Sequence, residues 1–67
     1  VQSGTVDISS GSLNIRSAPS LSAPVIASAY DGEAVEILGE WDGWYVVRYR
    51  DQDGYARSEY ITRNYAG

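Results

Sequence analysis

Nine carboxylates and five arginines are the only formally charged side chains in this 67-residue chain. They leave a short menu of chemistry. His, Cys, Lys and Met are all absent. Nucleophile systems of the Ser-His-Asp, Cys-His or Ser-Lys kind therefore lack a base or a nucleophile. Zinc lacks its usual ligands for the same reason. Two carboxylates can in principle work as a glycosidase pair, but such a pair needs a cleft that desolvates one acid and holds a sugar chain. One small domain offers little room for that, and no enzyme is expected. Asp51-Gln52-Asp53-Gly54 resembles the opening of a calcium loop. Tyr55 stands where a third ligand belongs, and no bidentate Glu closes the loop, so turn chemistry explains the run better. No metal and no cofactor are expected. What remains is recognition, by two Trp, six Tyr and the arginines.

The net charge of −4 argues against non-specific nucleic-acid binding and against an anionic membrane surface, which both call for a basic face. No apolar run approaches the ~20 residues of a membrane-spanning helix. At this length residues 1–67 read as a single domain, which buries only about 60% of the surface its unfolded chain exposes. Without disulfides or a metal, a chain of fewer than about 70–80 residues must pack aromatic and β-branched side chains closely. Beginning at Val1 and lacking a leader, it reads as a monomeric module excised from a longer exported protein.

The elements that would position the aromatics are strands. Asp31-Gly32, Asp42-Gly43 and Asp53-Gly54 recur every eleven residues, and Asp-Gly supplies the positive φ angles of tight turns. Turns at that spacing between short apolar runs predict an all-β barrel or sandwich. In Trp44–Arg50, alternation puts Tyr45, Val47 and Tyr49 on the core face. Trp44, Val46, Arg48 and Arg50 then share a face that the arginines mark as wet. Thr5-Val6-Asp7-Ile8 reads as a short first strand. The predicted core is Val6, Leu13, Ile15, Val35, Ile37, Val47, Ala56 and Ile61. Ser17–Pro24 is a Ser/Pro-rich loop, kept out of a central strand by its prolines. Ser58-Glu59-Tyr60 suits one 3-10 turn before a strand at Ile61-Thr62, and the tail from Arg63 to Gly67 reads as frayed or as a linker.

Leu13-Asn14-Ile15-Arg16-Ser17-Ala18-Pro19-Ser20 resembles the signature of bacterial SH3-like (Src-homology-3 type) domains, with Ala18 in place of a usual Gly. The resemblance continues through Val25-Ile26, Asp31–Gly39, Gly43–Tyr49 and Gly54–Ile61, about fifty residues in order. It implies a strongly bent barrel of five to seven short strands. It also implies an accessory module of exported proteins, often cell-wall hydrolases, at the bacterial envelope or outside the cell. Such a module is credited with binding peptidoglycan.

Eukaryotic relatives hold Pro-rich peptides between flat aromatic rings. Trp44, Tyr55 and Tyr60 match three of the groove aromatics in those domains. Arg57 stands where they carry a Pro, and Asn14 and Arg16 where they carry tyrosines. So mixed a platform suits sugar faces, or amide groups and a carboxylate, as in a wall-derived peptide or glycopeptide, better than a Pro-x-x-Pro ridge. Trp41 at a hairpin tip completes the candidate ligand set of Asn14, Arg16, Trp41, Trp44, Tyr55 and Tyr60. Plainer readings stand beside it. Trp44 and Tyr55 can lid a thin core, Asn14 can bond a neighbouring turn, and Arg16 can pair with Glu33 or Glu59. The same groove also suits docking onto a neighbouring domain of the parent protein and shaping its cleft.

Overall fold

A computed structural model describes residues 2–64 of the chain. Its strands are β1 (Gln2–Val6), β2 (Ser12–Arg16), β3 (Val25–Tyr30), β4 (Ala34–Trp41), β5 (Trp44–Tyr49), β6 (Gln52–Arg57) and β7 (Ile61–Asn64). A single 3-10 turn, Ser58–Tyr60, joins the last two. The seven strands make one antiparallel sheet in the order β3-β2-β6-β5-β4-β1-β7. Two bulges help bend it. One lies between Ile37 and Gly39 on β4, the other on β3 opposite Ile15 and Arg16. An extra residue on one strand sharpens the local twist, and it turns Leu38 and Ile26 toward solvent.

All eight residues of the predicted core are buried. Ala29, Tyr45 and Tyr49 complete the cluster, with Ile8 and Ala27 packed against its rim. Val6, Ile15 and Val47 are the largest side chains shut away almost completely. Burying each contributes about 1.5–3 kcal/mol relative to exposure. Alternation on β2, β4 and β5 thus assigns the inward face correctly.

Two of the three Asp-Gly turns are where their chemistry puts them. Asp42 and Gly43 both have positive φ, 50° and 82°, and close the β4–β5 hairpin as a two-residue loop. Tyr30–Glu33 is a turn with Gly32 at φ 87°, where the Glu33 amide donates to the Tyr30 carbonyl. Asp53-Gly54 is a correction: it lies inside β6, and the β5–β6 turn is Arg50-Asp51, with φ of 50° and 65°. Gly54 serves packing instead of turning. A Cβ there would stand 2.6 Å from Ile15 Cγ2 and 2.9 Å from the Arg16 carbonyl oxygen. Only a residue without a side chain lets β2 cross β6 this closely.

The first strand also departs from expectation, since β1 ends at Val6 and begins earlier than Thr5. Gly4 is its second inward position, pressed against Ile61 and Ile37. A glycine adds nothing to a hydrophobic pattern, so the apparent Val6/Ile8 alternation points one step too far. After Val6 the chain leaves the sheet, with the Asp7 amide on the Tyr60 carbonyl and the Ile8 amide on Asp31 Oδ1. At the other end Arg63 and Asn64 belong to β7, and the remainder of the expected tail lies outside the described residues.

Candidate functional site

The β5–β6 register places Trp44 opposite Arg57 and Val46 opposite Tyr55, while β2 reaches β6 at Arg16 opposite Tyr55. Paired residues share a face. Asn14, Arg16, Tyr55, Arg57 and Trp44 therefore stand on one outer surface of β2-β6-β5. Two further elements raise walls around it. The loop from Ser17 to Pro24 is closed at its neck by the Ser17 amide on the Pro24 carbonyl, 3.0 Å, and carries Leu21 outward. The 3-10 turn is tied to the β4–β5 hairpin tip, because both the amide and the hydroxyl of Ser58 donate to the Gly43 carbonyl, at 2.9 and 3.0 Å. That tether holds Tyr60 beside Trp44.

The result is a cleft of about 190 Å³ lined by Leu13, Asn14, Arg16, Leu21, Trp44, Arg57 and Tyr60. It brings together four of the six candidate residues, Asn14, Arg16, Trp44 and Tyr60. The other two stand apart from it. Tyr55 lies on the same surface but is half-buried between Val46 and Arg16 and does not line the cleft. Trp41, 59% exposed, faces solvent on the β4 side of the hairpin tip.

Trp44 needs a further correction. It lies on the face assigned to it and outside the main core cluster, yet only 7% of it is exposed. The Arg57 guanidinium sits over the ring, 5.4 Å from its centroid, and pairs with Glu59 at 3.1 Å. A planar cation on an aromatic face is attracted by the ring quadrupole. Arg57 thus covers one face of the Trp44 ring. Its Nε is buried with no partner among the described residues. Arg16 departs from its expected pairing as well. Its Nη1 donates to the Ala23 carbonyl at 2.9 Å, while Glu33 pairs with Arg50 and Glu59 with Arg57.

Sequence reasoning missed Leu21 and Arg57 as lining residues, and assigned Leu13, which also borders the cleft, to the core alone. A hairpin turned at Arg50-Asp51 pairs Trp44 with Arg57, and one turned at Asp53-Gly54 does not. The missed turn therefore hid the missed neighbour. Leu21 carried its own signal, as a large apolar side chain in an otherwise Ser/Pro-rich loop.

The groups whose ionisation the fold perturbs lie elsewhere. Glu33 is held below the usual carboxylate range, first by the Tyr49 hydroxyl, then by the Tyr30 amide and Arg50. Tyr49 is raised by the same hydrogen bond. Asp53 is lowered and Arg48 raised by their mutual hydrogen bond at 2.7 Å. The cleft itself presents apolar, aromatic, amide and guanidinium groups and no carboxylate among the described residues.

Residues 11–62, from just before β2 into β7, match the family described as bacterial SH3 domain. No curated protein matches the chain. The match covers most of the sequence, and the chain belongs to the bacterial SH3 domain family, a family of binding domains that are generally noncatalytic.

Proposed function

We propose that this bacterial SH3 domain is a noncatalytic targeting module that holds an exported protein on the cell wall by binding the peptide part of peptidoglycan. Domains of this family often bind peptidoglycan. The observation that carries the reading is the composition of the cleft. Trp44 and Tyr60 give it an aromatic side, Leu13 and Leu21 an apolar one, and Asn14, Arg16 and Arg57 a set of donors. Small ligand sites are commonly apolar with a few polar groups that fix orientation. A peptide of small residues presents amides, a carboxylate and short side chains to such a surface. A Pro-x-x-Pro ridge would need open ring faces, and Arg57 occupies one face of Trp44.

Co-sedimentation of the chain with purified sacculi tests the reading. The wild type should pellet with them, and Tyr60→Ala combined with Asn14→Ala should remain in the supernatant. Both side chains are exposed, so thermal melts of the variant should match the wild type and separate lost binding from lost folding. Binding that survives the double substitution would place the contact elsewhere. Failure of the wild-type chain to pellet would overturn wall targeting and favour docking onto a neighbouring domain.

A further inference from the structure

We propose that the cleft anchors the free carboxylate of a peptide end on Arg16. This rests on the reading of the cleft as a peptide site and specifies the chemical group it selects. Four of the five arginines already have an acid. Arg48 pairs with Asp53 at 2.7 Å, Arg50 with Glu33 at 3.2 Å, Arg57 with Glu59 at 3.1 Å and Arg63 with Glu40 at 3.8 Å. Among the described residues Arg16 has no carboxylate within 4.0 Å. In a chain with nine acids and a net charge of −4, the arginine left without an acid borders the cleft beside the paired Arg57, and none of the described acids lines it.

The guanidinium is also oriented. Among the described residues its one side-chain hydrogen bond, to the Ala23 carbonyl, ties it to the neck of the Leu21 loop. Most of its five donors stay available, and a guanidinium fork matches a carboxylate with two parallel bonds. Asn14, two residues earlier on the same face of β2, can accept from or donate to the peptide group that precedes the carboxylate. Leu21 and Tyr60 flank the space for a short side chain. Arg57, stacked on Trp44 and bound to Glu59, forms a wall. Arg16 is the anchor.

The test is an NMR titration of the chain with N-acetyl-Ala-Ala as the free acid and as its carboxamide. The free acid should shift the Arg16 Nε–H and Trp44 indole N–H signals. The carboxamide should bind at least tenfold more weakly, and Arg16→Gln should erase that preference while Arg48→Gln keeps it. Equal affinity for acid and amide, or shifts centred on Arg48 and Arg50, would overturn the inference. So would inorganic phosphate moving the Arg16 signal more strongly than the acid peptide, since that marks a phosphate site. Sacculi separate this idea from the broader one. If Arg16→Gln still pellets like the wild type, the carboxylate anchor falls and wall targeting stands. If the acid peptide titrates Arg16 but the wild type ignores sacculi, targeting falls and the anchor stands.

Discussion

Strand β5 ends in two aromatic residues treated in opposite ways. At its last residue, Tyr49 is capped by Arg50, 5.3 Å from the ring centroid, and Glu33 closes the group. That one carboxylate accepts from the Tyr49 hydroxyl, the Tyr30 amide and Arg50. At its first residue, Trp44 is capped by Arg57 at a similar distance, but the acid, Glu59, sits outside the cleft and Arg16 is left without one. The same pairing of arginine on an aromatic ring thus serves two ends. At the Tyr49 end one carboxylate gathers the ring hydroxyl, an amide and the arginine into a single matched group. At the Trp44 end Arg57 has its acid, but Arg16 has none among the described residues, and its donors border a cleft. The difference between the two ends is the placement of an acid.

The contrast breaks most completely at Gly54. A side chain there strikes Ile15 and the Arg16 carbonyl, so Gly54→Val should destabilise the domain by about 3 kcal/mol or more. The loss should appear in urea melts, and hydrogen exchange should show β2 released from β6 before the Tyr49 end opens. A variant of wild-type stability would mean that the β2–β6 contact is not what positions the cleft.

Next in size is Trp44→Ala. Truncating a nearly buried Trp costs about 3–5 kcal/mol in a core, and about 2–3 kcal/mol is expected here because Trp44 lies outside the core cluster and is covered on one face by Arg57. Trp41→Ala, at the neighbouring exposed position, should stay within about 0.5 kcal/mol. Comparable losses from the two in thermal melts would show that the hairpin tip, and not the capped ring, supplies the stability.

At the Tyr49 end the informative variable is pH. The ordinary carboxylate value for Glu33 is 4.5, and in the folded protein it is lowered. The group therefore binds protons more readily when unfolded. Its contribution is complete above about pH 5 and is lost as pH falls through the depressed folded value. Glu33→Gln should melt below the wild type at pH 7, and the gap should narrow steadily below pH 4.5. A gap independent of pH would assign the effect to shape and not to charge. At the β5–β6 turn the expected change is a gain. Asp51 sits at φ 65°, a region strained for a residue with a Cβ, so Asp51→Gly should raise stability by up to about 1 kcal/mol.

Much of this molecule could be read from its residues, for reasons that also explain the misses. Leu13, Ile15, Val35, Ile37 and Val47 announce their face because a two-residue period has no other cause in a short strand with one wet side. Asp42-Gly43 announces its turn because few dipeptides tolerate two positive φ angles. Arg50-Asp51 adopts the same kind of turn with residues that disfavour it, held there by strand pairing on both sides and by Arg50 against Tyr49 and Glu33. That context is non-local, and no dipeptide rule contains it. Trp44 was placed on the correct face by alternation, but its burial depends on Arg57 thirteen residues away. The cleft was partly legible for the same reason. Asn14, Arg16 and Trp44 follow from strand faces and Tyr60 from the resemblance. The exclusion of Trp41 and Tyr55 follows only from where the strands set them, Trp41 on the β4 side of the hairpin tip and Tyr55 between Val46 and Arg16.

The pairing of β1 with β7 bears on how the domain carries load. Ser3 pairs with Asn64 and Val6 with Ile61, so residues 2 and 64 leave the sheet at the same end of one antiparallel ladder. Tension between those two points pulls the strands apart like a zipper, breaking hydrogen bonds in sequence and not all together as in shear. Each step then has to overcome only the next bond. A domain of this topology pulled through both ends would yield at β1–β7 at low force, while the β2-β6-β5 surface around Trp44, which lies off the line of tension, kept its shape.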